Sequence, residues 1–143
     1  MSPPAGEEPR VVGGGEEPRV VVDAMNVMGA VPDGWWRDRD AALTRLVDAL
    51  RGRVADGTLD GPVLVVADGT RVVGLDAGPR DGVEVRWASR SGPDAADDDI
   101  VAVVESLSGP VVVVTSDAAL ARRVRERGAA VEGARRFRRR VGV

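Results

Sequence analysis

The chain contains no histidine, no cysteine, no lysine and no tyrosine. Each absence removes a chemistry. Without histidine there is no Ser-His-Asp or Cys-His relay, and the commonest transition-metal ligand is missing. Without cysteine there are no disulfides and no thiolate metal sites. Without lysine there is neither a Walker-type phosphate loop nor Schiff-base chemistry. No apolar run reaches the roughly 18 residues that would suggest a membrane span. The opening stretch Met1-Ser2-Pro3-Pro4-Ala5-Gly6-Glu7-Glu8 lacks the basic and apolar regions of a signal peptide, which predicts a cytoplasmic protein with no membrane partner. Carboxylate, hydroxyl, amide and guanidinium groups remain for catalysis. That set suits Mg²⁺ or Mn²⁺ better than Zn²⁺ or Cu²⁺.

Aspartate, by contrast, recurs at telling positions. Three apolar runs each end in one: Arg19-Val20-Val21-Val22-Asp23, Val63-Leu64-Val65-Val66-Ala67-Asp68, and Val111-Val112-Val113-Val114-Thr115-Ser116-Asp117. Continuous β-branched runs read as strands of a parallel sheet buried on both faces. Ligands of such sheets bind outside the carboxyl ends of the strands. Parallel strands would therefore carry Asp23, Asp68 and Asp117 to one edge, where their charges repel unless a cation sits between them.

Helical stripes separate these runs. Leu43, Leu46, Val47 and Leu50 form one apolar face, with Asp38 or Asp40 as the expected cap. Ile100, Val103, Val104 and Leu107 form a second, after Gly92-Pro93 and with Asp94 as the expected cap. A third helix is expected from about Asp117 to Arg127, closed by Gly128, with Ser116 as an alternative cap that would free Asp117. Pro32-Asp33-Gly34 reads as a turn in a loop after the first strand, the stretch 69–82 as turn-rich, Val83–Trp87 as an edge strand, and Ala130-Val131 as a last short strand. The alternation predicts a three-layer α/β/α domain over 19–143 with a mostly parallel sheet. Residues 1–18, rich in Pro, Gly and Glu, read as a disordered tail with a short local duplication, Gly6–Val12 recurring as Gly15–Val21.

Asp97, Asp98 and Asp99 fall in the first turn of the second helix, more negative charge than capping needs. Asp97 leans to the sheet side, Asp98 comes next, and Asp99 is expected in solvent. The net charge of −3 hides a basic end. Nine arginines lie from Arg122 onward, opposed only by Glu126 and Glu132. A basic tail beside an acidic pocket suits a polyanion. Trp35-Trp36-Arg37 offers either a base-stacking surface or a plug between helix and sheet. Asp68-Gly69-Thr70 is half of a haloacid-dehalogenase motif, but Val66 stands where the nucleophilic Asp would be, and that family's Lys is absent.

Asp23-x-x-Asn26, Asp68-Gly69, Ala96-Asp97-Asp98-x-Ile100 and Thr115-Ser116-Asp117, in this order, resemble the NYN domain of the PIN-like nuclease superfamily, in its YacP-like branch. The segment Gly34–Arg39 resembles actinobacterial members. The resemblance spans about residues 19–140 and implies metal-dependent endonucleolytic cleavage of RNA, leaving a 5′-phosphate and a 3′-hydroxyl. It implies Asp23, Asp97, Asp117 and Asp68 as catalytic acids, with Asp23, Asp97, Asp98 and Asp117 as ligands of one or two Mg²⁺ or Mn²⁺ ions. Asn26 and Ser116 match its polar positions. Arg37, Arg90 and Arg122 would hold flanking phosphates. One departure is that PIN enzymes often use a Glu among these acids, where Asp68 or Asp98 must serve here. The implied partner is RNA, whether messenger, transfer or ribosome-associated, and a dimer is compatible with it. Two other readings remain: a catalytically silent RNA-binding module, and a nucleotide phosphohydrolase or pyrophosphohydrolase that would tolerate deletion of 135–143.

Overall fold

The computed structural model describes residues 18–69, 71–75, 78–89 and 94–143. The expected N-terminal disorder and its duplication, and Arg90, lie outside these residues, apart from Pro18 and the segment that enters the first strand.

Among the described residues six strands form one sheet: β1 (Arg19–Asp23), β2 (Val63–Ala67), β3 (Gly78–Arg80), β4 (Val83–Trp87), β5 (Val111–Val114) and β6 (Ala130–Glu132). Their order is β3-β4-β2-β1-β5-β6. All neighbours run parallel except β3, which pairs antiparallel with β4. Among the described residues there are also five α-helices, α1 (Ala24–Gly29), α2 (Arg39–Ala55), α3 (Ala95–Ser106), α4 (Ala118–Arg125) and α5 (Ala134–Val141), and a 3₁₀ turn over Trp35–Arg37. The expected three-layer α/β/α fold is present.

Strand periodicity divides the core between the two faces. Val22, Val63, Val65 and Val114 pack with Val27 of α1, Leu43, Leu46, Val47 and Leu50 of α2, and Phe137 and Val141 of α5. Val21, Leu64, Val66, Val111 and Val113 pack with Ile100, Val103 and Val104 of α3 and with Leu120 and Val124 of α4. Both predicted stripes are thus core-facing, and Leu107 packs at the margin of the second cluster. Asp38 caps α2, accepting from the Ala41 amide at 3.0 Å.

Four expectations need correction. The loop after β1 begins as a helix, α1, which starts directly at Asp23. Six residues are too few to show a 3.6-residue period. The stretch 69–82 contains β3, joined to β4 by Asp81-Gly82 with both residues at positive φ (53° and 79°), the turn geometry that tight hairpins favour. Val83–Trp87 is therefore not the edge, because β3 covers it. The basic end is a helix and not a free tail. Ala134, Phe137 and Val141 bury one side of α5, and the Arg138 guanidinium donates to the Val27 carbonyl at 2.9 Å.

The strand order sets the site's position. From β1 the chain proceeds outward through β2 to β4, then returns to the other side of β1 as β5. The reversal lies between β1 and β5, and their carboxyl ends flank the crevice where open α/β sheets bind ligands.

Candidate active site

Asp23 is the last residue of β1 and is 6% exposed. Its Oδ2 accepts a hydrogen bond from the Thr115 hydroxyl at 2.9 Å. The same hydroxyl oxygen accepts from the Asp117 amide at 3.1 Å, so one buried threonine links the ends of β1 and β5. Asp117 Oδ1 caps α4, accepting from the Ala119 and Leu120 amides. Ser116 is not the cap, contrary to the alternative above. Its amide donates to Asn26 Oδ1 at 2.7 Å, and its Oγ accepts from the Ala134 amide at 2.8 Å. It thus joins β5 to α1 and to the start of α5.

Asp23, Asp68, Asp94, Asp97 and Asp117, with Met25, Asn26 and Ala96, line one cleft of about 290 Å³. Three strand ends and the first turn of α3 meet there. Asp94 stands at the cap position of α3 with φ 64°, but its side chain makes no capping bond. Burial, opposed by the Thr115 hydroxyl and reinforced by the charges of Asp97 and Asp117, pushes the Asp23 carboxyl up to about 6. Burial also raises Asp97, followed by the charges of Asp117 and Asp94.

Other predicted residues fall elsewhere. Asp98 does not line the cleft and pairs with Arg123 of α4 at 3.0 Å. Asp99 is half-buried, not in solvent: it accepts from the Ser89 amide and hydroxyl, tying the exit of β4 to α3. Arg37 is exposed, with its guanidinium 5.7 Å from the centre of the Trp36 ring. Arg122 is exposed on α4. The two tryptophans divide the roles considered for them. Trp35 packs against the core, and Trp36 is 57% exposed.

The sequence marks Asp94 only as a helix cap, and it does not single out Thr115 or Arg39 as holding the site. The Arg39 guanidinium donates to the Asp68 carbonyl at 2.8 Å. It clamps the end of β2 to the start of α2. Nothing in the spacing of Arg39 and Asp68, 29 residues apart, signals that contact.

A cation must be judged against these donors. They are all oxygens, without His or Cys, and their carboxyls repel one another. Yet among the described residues no three acidic side chains converge on one metal-holding point. Mg²⁺ fits such an open set, because it keeps several waters and is bound through one or two carboxylates plus substrate phosphate.

A family model of the YacP-like NYN domain matches residues 20–143. The chain belongs to the YacP-like NYN domain family. This is a ribonuclease-like domain, and NYN and PIN-like nucleases generally depend on divalent metal. Among solved structures, the chain is similar to two crystal structures of Rae1 (YacP) from Bacillus subtilis, one of them a mutant form. The mutant shares 22% identity at a TM-score of 0.68, over 88% of this chain and 76% of that one. The other shares 23% identity at the same TM-score, over 88% and 74%. They show the fold. No curated protein matches the chain significantly. Among the described residues no helix is long and apolar enough to cross a membrane.

Proposed function

We propose that the protein is a divalent-metal-dependent endoribonuclease. The observation that carries this reading is the aspartate-lined cleft at the sheet's reversal point, where burial and like charge push Asp23 up to about 6. Asp23 and Asp97 would hold Mg²⁺ or Mn²⁺, with Asp117 completing the set through the oxygen that its cap leaves unused. When bound, the cation supplies charge neutralisation at the scissile phosphate and activation of water. Thr115 fixes the Asp23 carboxylate. Asn26, its carbonyl held by Ser116, keeps its NH₂ as a donor for a phosphate oxygen. Asp68, held by Arg39, extends the acidic wall. Water adds to phosphorus and the P–O3′ bond breaks, leaving a 5′-phosphate and a 3′-hydroxyl.

Cleavage of end-labelled RNAs tests this reading. Wild type should cut with Mn²⁺ or Mg²⁺ and not with EDTA, and Asp23→Asn and Asp97→Asn should each lower the rate by at least ~100-fold. A metal-free RNA-binding module is the second reading. It draws on the lack of a three-carboxylate cluster among the described residues. RNA bound without cleavage, unchanged by either substitution, would establish it instead.

A further inference from the structure

We infer that the hollow beside the acidic cleft is a subsite for the phosphodiester next to the scissile one, on single-stranded RNA, with Arg135 as its anion contact. The inference rests on the ribonuclease reading above. The hollow, of about 320 Å³, is lined by Met25, Asn26, Gly29, Ala30, Ser116 and Arg135. Its volume lies within the roughly 300–1,000 Å³ of ligand pockets. Met25 and Asn26 line the acidic cleft as well, so the two spaces meet along α1.

The charge changes sign across Asn26. Five aspartates line the cleft and no acid lines the hollow. A polyanion cannot rest its successive phosphates on carboxylates. One phosphate can share a cation in the cleft, and the next needs a positive neighbour. Arg135 is exposed at the start of α5, and no hydrogen bond or ion pair engages it among the described residues. Other arginines of α5 are engaged: Arg138 with the Val27 and Val143 carbonyls, and Arg140 with Glu132. Asn26 accepts through Oδ1 from Ser116, which leaves its Nδ2 as a donor. A guanidinium, an amide NH₂ and a hydroxyl, with no competing carboxylate, form a donor set for a phosphate oxygen. Gly29 and Ala30 provide a floor without bulky side chains, where a ribose can approach.

The test is binding of a fluorescein-labelled single-stranded RNA to the full chain carrying Asp97→Asn, which prevents cutting. Adding Arg135→Gln should weaken binding about tenfold and reduce the salt slope by about 0.7, the single-strand value per phosphate contact. Arg135→Glu, a reversal at the same exposed position, unpaired among the described residues, puts a carboxylate at the hollow and should weaken binding more than Arg135→Gln does. Arg125→Gln, equal in charge change to Arg135→Gln but at an exposed position of α4 away from the hollow, should weaken it less than about twofold. In the chain with Asp97 intact, Arg135→Gln should raise KM for RNA and leave kcat near wild type. If Arg135→Gln and Arg135→Glu behave like Arg125→Gln in binding and in KM, the subsite is overturned. If no chain cleaves RNA yet both substitutions weaken binding, the nuclease reading fails and the hollow stands as a backbone-phosphate contact of an RNA-binding module.

Discussion

Asp23 carries opposing demands in one side chain. It is buried at a strand end, hydrogen-bonded by Thr115, and faced by Asp97 and Asp117. Its rise from an ordinary 3.8 to about 6 corresponds to ~3 kcal/mol at roughly 1.4 kcal/mol per tenfold change in proton affinity. The folded state holds this proton more tightly than the unfolded chain, so stability falls as pH rises from about 4 to about 6, and the penalty is complete above that. In EDTA, Asp23→Asn should therefore stabilise the protein at pH 7.5 by up to ~3 kcal/mol, and the gain should vanish near pH 4. Urea unfolding at the two pH values checks this. A variant destabilised at both would show that the carboxylate is not strained. Sequence placed Asp23, Asp68 and Asp117 at strand ends and Asp97 toward the sheet. It could not show that Asp98 is drawn away by Arg123, since α4 meets α3 only in the folded chain.

Among the elements, α5 gives the sharpest contrast between sequence and structure. Eight residues with five arginines suggest a solvated tail, yet Ala134, Phe137 and Val141 share one face, and Phe137 is fully buried. That i, i+3, i+7 spacing is present in the sequence, but three apolar residues among five arginines do not distinguish a packed helix from a solvated one. Deleting 135–143 therefore removes core and cannot separate RNA from nucleotide substrates. Phe137→Ala should cost about 3–5 kcal/mol, whereas Arg139→Gln on the exposed face should stay within about 0.5 kcal/mol. Chemical denaturation of the two variants decides it, and equal midpoints would refute the packing of α5. Similarly, β3 lay hidden because its three residues include a proline and no apolar alternation, although Asp81-Gly82 is itself a hairpin signal.

At the scale of the whole molecule, the sheet gathers carboxylates that the chain keeps far apart: Asp23 ends β1 and Asp117 follows the adjacent β5, 94 residues apart in sequence. Bringing like charges together is unfavourable, and a cation binding only the folded state offsets that cost. Mn²⁺ or Mg²⁺ at about 100 times its Kd should stabilise the fold by ~2.7 kcal/mol. The rise in Tm should disappear with EDTA and be much reduced in Asp97→Asn. An equal rise in both chains would place the cation elsewhere.

The residues alone define the central strands β1, β2 and β5 and the stripes of α2 and α3, because burial on both faces demands unbroken β-branched runs and burial on one face demands a 3.6-residue period. They also determine the all-oxygen chemistry of the site, since His, Cys and Lys are absent. Packing of the two faces selects which acids share the cleft and which are drawn into ion pairs, and it brings Thr115 and Arg39 to the carboxylate-bearing ends. Those choices depend on contacts between segments 29 to 92 residues apart. Local pattern cannot encode such contacts, because they exist only once both faces of the sheet are packed.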